Sequence, residues 1–477
     1  MLTLARTSNS KPEIRLLYRR LSTLWIVLAF VNLPMLEAQQ EAPASEAGPK
    51  LSVTPPAQLN GSSPLLVPTS AAPRKNELLG GLGVGAVYDD SIAIINGRPE
   101  GGFLYTVSPN ITLLQTRPRT AWDLDYVGGI TVAQHATAIN NGTQDMTSVA
   151  AQLQHLFGPH TLLMLRQDFL MTNNPFGVAN QGQTLGVVGG TGQLNSSAAI
   201  PTATRTSLVS SASLTYQFAR HASVGINGSF SSLKFGDVPK LAGAAVNLID
   251  GRTTTGRAFY VVDISQHHRL GAEYQLQDLR FQDDAARTLD QTVYLFDEIR
   301  LRSNMILTFF AGPDCSHLHN NVLVPSSGRA PSLVPLLTNA WSPAGGAAYT
   351  WRGNRHALRL SASRAVTDGG GTTGAVRATT ASAELHNDLS KRWTATFGFS
   401  YSDGRLLERI TTAGSSRIAT EQVDSGITHQ LSQRIRMSAQ YTHVQQLAGG
   451  TVAPLTTGDH NRASLSLRYQ FAKPLGQ

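Results

Sequence analysis

Apolar and polar residues alternate with a period of two along most of the chain from residue 78 onward. In the segment 391–402, Trp393, Phe397 and Tyr401 have one parity, whereas Thr394 and Ser400 have the other. Strict alternation of this kind predicts β-strands with one apolar and one polar face. The same pattern recurs in segments 208–218, 222–230, 270–277, 434–441 and 462–471.

The connections between these segments are of two kinds, short and long, which alternate along the chain. A barrel whose hairpins end in short turns on one side of a membrane and longer loops on the other produces this alternation. The chain is therefore predicted to be all-β, a transmembrane antiparallel up-and-down β-barrel of about 18 strands, within a range of about 16–20. The predicted short turns are 117–119, 158–159, 219–220, 267–268, 303–304, 353–354, 390–391 and 432–433, and the predicted long loops are 89–101, 136–144, 172–204, 236–253, 282–287, 317–339, 367–374, 403–418 and 445–459.

The N-terminal residues 1–38 have the pattern of a cleaved export signal. Arg15, Arg19 and Arg20 precede an apolar run at 21–33, which is shorter than the roughly 20 residues that a spanning helix needs. An uncleaved anchoring helix is the alternative reading. Residues 39–77 are rich in Pro, Ala and Ser, which predicts a disordered periplasmic linker, followed by the barrel at 78–471 and a short tail at 472–477.

Composition narrows the class of protein further. Charged residues make up 15% of the chain, against about 25% in an average soluble protein. The single cysteine, Cys315, excludes an internal disulfide. The net charge is +8, but no basic run is interleaved with aromatic residues, so that a nucleic-acid partner is not expected.

The parity of the strands separates lipid-facing from lumen-facing positions. Several arginines in the last third of the chain share the polar parity, which predicts a basic sector of the lumen that favours anions. The residues predicted to face lipid are Trp393, Phe397, Leu465, Leu467, Ile226 and Leu214. The predicted lumen-lining residues are Arg359, Arg392, Arg434, Arg436, Arg462 and Arg468, with Glu273, Asp123 and Asp125 in other sectors. For Arg434 and Arg462, a position at the membrane rim is the alternative.

Over about residues 78–471 the chain resembles the outer-membrane porins of Gram-negative bacteria. The last strand ends in Tyr469 and Phe471, and in that family a terminal aromatic residue is read by the barrel-assembly machinery, although six residues follow Phe471 here. The resemblance implies a barrel in the cell outer membrane, in contact with its lipid and lipopolysaccharide, that passes small solutes and can form an oligomer. The opening strand 83–90 also resembles barrels found near exopolysaccharide genes.

The sequence contains two further groups of residues that could suggest a metal site or a phosphate-binding loop. Asp314, Cys315, His317 and His319 lie close together in sequence and include metal-ligating types, but no second ligand pair accompanies them, and an ordinary outer loop is the expected reading. The glycines at 81, 83 and 85 precede no helix and are not a phosphate-binding loop. No catalytic constellation is present, so we expect no enzyme activity, no cofactor and no metal.

Three functions are compatible with these features. The first is a porin-like channel for small hydrophilic and, given the arginines, anionic solutes. The second is a non-channel barrel that serves as a scaffold or as part of secretion or exopolysaccharide export, and the third is a surface adhesin. The longest predicted loop, 172–204, has no charged residue and is expected either to narrow the lumen or to extend from the surface.

Overall fold

In a computed structural model, the chain forms a single closed sheet of 18 antiparallel strands. The structure describes residues 76–95, 98–133, 143–172, 204–236, 249–281, 286–324, 332–368, 374–407, 417–449 and 458–475. All of them belong to one compact unit, Leu51–Gln477. The predicted signal, the linker up to residue 75 and most of the predicted loop 172–204 lie outside the described residues.

The strands follow one another around the barrel in chain order, so that each pairs with the strand before it and the strand after it. Their bounds are β1 Glu77–Ile95, β2 Arg98–Thr116, β3 Thr120–Ala133, β4 Thr143–Leu156, β5 Thr161–Thr172, β6 Thr204–Ala219, β7 Ala222–Gly236, β8 Gly251–Asp263, β9 His268–Phe281, β10 Ala286–Arg302, β11 Met305–Val324, β12 Ser332–Arg352, β13 His356–Asp368, β14 Ala375–Asp388, β15 Trp393–Leu406, β16 Arg417–Gln430, β17 Ile435–Gly449 and β18 Gly458–Pro474.

The barrel closes where the last strand pairs with the first. This ladder runs from Glu77 opposite Pro474 to Asp89 opposite Arg462. The start of β1 at Glu77 and the end of β18 at Pro474 lie at the same end of the barrel as the short turns, which we call the turn end; the opposite end is the loop end. The predicted fold class, the strand number and the positions of all the short turns are confirmed.

Several predicted long loops are shorter than the sequence pattern suggested. β1 and β2 form one hairpin that leaves only residues 96–97 between Ile95 and Arg98, and β11 continues through His317 to Val324. The reason is that apolar and polar residues alternate only where one face of the strand contacts lipid and the other faces the lumen. Beyond the membrane both faces of a hairpin meet water, so the strand can continue while its apolar period disappears.

The outer face of the barrel is apolar and carries aromatic residues toward both ends. Leu465, Ile226 and Leu467 are exposed there, with 54%, 60% and 42% of their surface accessible. Trp393 and Phe397 of β15 and Leu214 of β6 also occupy the outward-facing positions of their strands, as predicted. The exposed aromatic residues are Tyr88, Phe103, Tyr105 and Trp341 toward the loop end, and Tyr216, Phe218, Tyr260, Trp393, Tyr469 and Phe471 toward the turn end. Paired aromatic girdles around an apolar band are typical of transmembrane barrels.

On the inner face, three phenylalanine rings lie over glycines of the neighbouring strand. The clearest case is Phe296 of β10, whose ring covers Gly271, its register partner in β9. The ring can lie flat against the backbone because glycine has no Cβ. The same pairing joins Phe259 to Gly225 and Phe310 to Gly346.

Replacing Gly271 by alanine should therefore destabilise the barrel by about 1–3 kcal/mol. A Cβ there would overlap the ring of Phe296, so the ring or the backbone would have to shift to make room for the methyl group. Urea-induced unfolding of the refolded barrel measures this change. Gly256→Ala is the matched control, since nothing lies within 4 Å of its Cβ position. Equal costs for the two variants would contradict the assigned contact.

Candidate functional site: the lumen

The inner face of the barrel is predominantly polar and forms the candidate site. Along most of the strands, alternation turns Ser, Thr, Gln and charged residues inward and apolar residues outward. The inner face of β8, β10, β11 and β12 differs, because it carries a cluster of Phe259, Val261, Tyr294, Phe296, Phe310 and Ala344. Many inner side chains are buried, among them Asn110, Ser213, Thr255, Gln275, Thr308, Thr420, Gln422 and Thr442. The inner wall is therefore built from hydroxyl and amide groups as well as the ionised side chains described below.

Two inward arginines form a like-charged pair in the turn-end half of the barrel. Arg436 of β17 lies directly opposite Arg468 of β18 in the ladder. The two guanidinium groups interact electrostatically, and Arg436 is exposed to the lumen. We call Arg436 and Arg468 the basic pair.

Two other predicted arginines have carboxylates opposite them. Arg359 of β13 faces Glu384 of β14 in the ladder and interacts with its charge. Arg462 of β18 is buried beside Asp89 of β1, at the loop-end half of the strand. Their charges are thus partly balanced within the wall.

Arg392 and Arg434 do not line the wall as the sequence suggested. Arg392 lies in the turn before β15 and Arg434 in the turn before β17, and both are exposed at the turn end. The backbone carbonyl of Arg392 accepts a hydrogen bond from the N–H of Gln430 in β16 at 2.8 Å, and that of Arg434 accepts one from the N–H of Gln470 in β18 at 2.7 Å. The alternation of polar and apolar residues extends to Arg392 and Arg434, but β15 and β17 begin one residue after them.

A group of carboxylates lies in another sector, on β3 and β5. Asp123 and Asp125 face the lumen, and Asp123 interacts electrostatically with Asp125, Asp168 and Arg166. Arg166 donates two hydrogen bonds to Asp168, at 2.6 and 3.1 Å. We call Asp123, Asp125 and Asp168 the acidic group. Together with the basic pair it places opposite charges on different sectors of the same end of the lumen.

Glu273 lies in a buried ion pair that the sequence did not reveal. Its Oε1 lies 3.8 Å from Nε of Arg257 on β8, and the two side chains are only 3% and 5% exposed. Arg257 has the same parity as Thr253 and Thr255, which face inward. That parity was the one signal from which its position could have been inferred.

Two further carboxylates, Asp290 of β10 and Asp314 of β11, are almost completely buried on the inner face near the loop end. The hydroxyl of Ser316 donates to Asp290 at 2.7 Å, and that of Ser342 donates to Asp314 at 3.3 Å. We call Asp290 and Asp314 the buried acid pair. Sequence analysis considered Asp314 only as a metal ligand.

The metal reading of Asp314, Cys315, His317 and His319 is not supported by their positions. Asp314 points inward, whereas the other three have the outward parity on β11. Sγ of Cys315 lies 3.7 Å from Nε2 of His317, which in turn lies beside Asn339. Within the described part of the chain, no group of three or more His, Cys, Asp or Glu side chains is placed to hold a metal ion.

The barrel wall departs from a regular cylinder between β12 and β13. The ladder joining these strands ends at Gly345 opposite Arg364. Beyond that point β12 continues to Ser332 and pairs, among the described residues, with β11 alone. β13 continues to Asp368 in regular register with β14.

The loop-end halves of β13 and β14 lie inside the barrel. Val366 and Ala375 have the outward parity, yet both are buried in one cluster with Leu279 and Phe281, which belong to the inner face of β9. Since the β13–β14 register has no shift, this contact requires the whole edge to curl into the lumen. We call residues 365–368 and 375–378 the curled edge.

Electrostatic interactions support this position of the curled edge. Arg377, which is the register partner of Val366, interacts with both members of the buried acid pair. Asp368 likewise interacts with Arg205, an inward residue of β6. Residues with lipid-facing parity on β13 and β14 thus meet the inner faces of β6, β9, β10 and β11.

These features define a class of protein: a membrane-spanning β-barrel with an apolar outer face, a charged lumen and an inward-curled edge. Among the described residues, no helix is long and apolar enough to span a membrane. No protein-family model matches the chain, and no curated protein matches it in sequence.

Solved structures with similar coordinates are bacterial proteins. The siderophore receptor PiuA from Acinetobacter baumannii is 11% identical over 84% of this chain and 82% of its own, with a TM-score of 0.41. OpdQ from Pseudomonas aeruginosa is 10% identical over 83% of this chain and 97% of its own, with a TM-score of 0.40. OpdK from the same species, solved with vanillate, is 11% identical over 83% and 99%, with a TM-score of 0.40. Similarities at this level decide nothing about function, and they give no support to a link with exopolysaccharide genes.

Proposed function

We propose that the protein is a porin-like channel of the cell outer membrane for small hydrophilic solutes, with a preference for anions. The observation that carries this proposal is a closed 18-stranded barrel whose outer face is apolar and whose inner face is polar and charged. Lipid on the outside requires every backbone group to be paired within the barrel, and a barrel of this size encloses an aqueous lumen unless something fills it.

The anion preference rests on the basic pair. Arg436 and Arg468 are adjacent, are inward and lie close to the turn-end exit, where Arg392 and Arg434 add two exposed positive charges. A local excess of positive charge raises the concentration of anions in the adjacent water. The acidic group works against this excess from another sector, but Asp168 is neutralised by its two hydrogen bonds from Arg166.

The test is the reversal potential of the refolded full chain in a planar bilayer under a salt gradient. We expect anion selectivity at about 0.1 M salt, where charges act over about 10 Å, and its loss at about 1 M, where they act over about 3 Å. The double variant Arg436→Glu/Arg468→Glu should shift the selectivity several-fold toward cations. Arg392→Glu/Arg434→Glu changes the same number of charges in the turns and should shift it less.

Cation selectivity of the unaltered protein would contradict the anion preference while leaving the channel intact. Equal shifts in the two double variants would show that the lumen arginines have no special role. Absence of any conductance, with the barrel folded as judged by its heat-dependent gel mobility, would overturn the channel itself.

A non-channel barrel, acting as a scaffold, an export component or an adhesin, is the second candidate. The specific observation that favours it is the curled edge, which occupies the loop end of the lumen. The two candidates differ in whether that edge is permanent. A barrel that conducts after the edge is released is a channel, and one that never conducts is not.

We further propose that the last strand is the assembly signal. Tyr469 and Phe471 lie on the outer face of β18, opposite Leu82 and Gly80 of β1, and the ring of Phe471 covers Gly80. The barrel-assembly machinery would read these side chains before the β1–β18 ladder closes. Lipopolysaccharide and outer-membrane lipid would contact the aromatic girdles, and oligomers would form through the same outer face.

A further inference from the structure

The curled edge has a second place where it could lie. β12 extends beyond its ladder with β13, from Ala344 to Ser332, and its free side has no strand partner among the described residues. Continuing the observed register would place Ala365 opposite Ala344, Val366 opposite Pro343 and Thr367 opposite Ser342. In that arrangement Val366 would face outward, as its parity requires.

The two positions of the curled edge differ in which side chains pack and which backbone groups are paired. In the observed position, Val366 and Ala375 pack against Leu279 and Phe281, and Arg377 lies near the buried acid pair. In the other, the backbones of β12 and β13 would pair and the wall would be closed. An unpaired strand edge leaves its backbone N–H and C=O groups without strand partners, so the second position gains these hydrogen bonds but loses the contacts of Val366 and Ala375.

The backbones of β12 and β13 lie close together just below the point where their ladder ends, at Gly345 opposite Arg364. Gly346 of β12 lies just below it, and a Cβ there would overlap the carbonyl oxygen of Ala362 in β13 and the ring of Phe310. Pro343, immediately above, has no N–H to offer to β13, which weakens the next step of the ladder. The ladder is therefore tight up to Gly345 and weak beyond it.

We propose that the curled edge is a gate, closed when Val366 and Ala375 pack against Leu279 and Phe281 and open when β13 pairs with β12 along its full length. Closing blocks the loop end of the lumen, and opening restores a continuous wall. The effect on conduction rests on the proposed channel function, whereas the movement itself does not.

The position of the edge is tested by disulfide cross-linking in a Cys315→Ser background, which removes the natural thiol. Leu279→Cys/Val366→Cys should form a disulfide that holds the edge inside, and Ser342→Cys/Thr367→Cys should form one that holds the wall closed. We expect both to form in folded protein, low conductance for the first until it is reduced, and high conductance for the second until it is reduced. In a regular cylinder, Leu279 and Val366 would lie four strands apart on opposite faces, and the first disulfide could not form.

The movement is measured without conduction by the reactivity of a single thiol. In the same background, Leu279→Cys, whose side chain the curled edge covers on the inner face of β9, should react slowly with a membrane-impermeant maleimide. Adding Arg377→Gln should raise the rate on the order of tenfold, the factor that corresponds to about 1.4 kcal/mol of lost charged interaction. Arg364→Gln removes a like charge that repels Arg377 from the same strand pair, so this variant should not raise the rate.

The outcomes separate the gate from the channel. Failure of the first disulfide, or equal maleimide rates in all three proteins, overturns the gate. Formation of the first disulfide but not of the second shows a permanent plug and also overturns it. Both disulfides and a faster rate in Arg377→Gln, with no conductance in any state, would support the moving edge and overturn the proposed channel.

Discussion

Replacing Glu273 by glutamine should lower the free energy of unfolding by about 3–5 kcal/mol, because it leaves the buried guanidinium of Arg257 without its carboxylate. Both side chains are 5% exposed or less, so water cannot replace the lost charge. Urea-induced unfolding in phospholipid vesicles, followed by tryptophan fluorescence, gives the value.

Two further variants show whether burial is the cause. The double variant Arg257→Met/Glu273→Leu removes both charges and should be close to the unaltered protein in stability, since an apolar pair avoids the desolvation of two ions. Asp278→Asn is the matched control: it removes a carboxylate whose partners, Arg280 and Arg287, are 44% and 47% exposed. Its cost should be about 1 kcal/mol or less. A similar cost for Glu273→Gln would mean that water reaches the ion pair.

Lysine at Leu465 should cost about 2–4 kcal/mol, because the side chain would place an ammonium group in the hydrocarbon near the middle of the membrane. Leu465 lies on the outer face of β18 between Ala86 of β1 and Ala439 of β17. Lysine at the adjacent Ser464, at the same depth but on the inner face, should be nearly neutral.

The comparison of these two lysine variants uses the same unfolding assay. Because Leu465 and Ser464 are adjacent on one strand and lie at almost the same depth, the difference between the two unfolding free energies reports which face of the barrel each residue occupies. If Ser464→Lys costs as much as Leu465→Lys, the inner face at that depth is not hydrated. The curled edge lies at the loop end, and a blocked lumen there would still leave water access from the turn end.

Local periodicity was sufficient to locate the strands, the short turns and the two faces of the wall. Alternation at Leu465 and Ser464 reports a lipid-facing and a lumen-facing position because a strand has only two faces. Short turns such as 353–354 could be located because they interrupt that alternation between two strong segments. The inward position of Asp123, Asp125 and Arg468 follows from the same parity.

Which side chains cover each face depends on contacts between strands that are distant in sequence. Val366 has the same parity as the exposed Leu360 on β13, and nothing in its sequence neighbourhood separates the two. It is buried because the ladder with β12 ends at Gly345 and the edge then meets Leu279 of β9, more than 80 residues earlier in the chain. The pairing of Arg257 with Glu273 arises in the same way. Periodicity is a local property of one strand, whereas burial depends on which distant strand the chain brings against it.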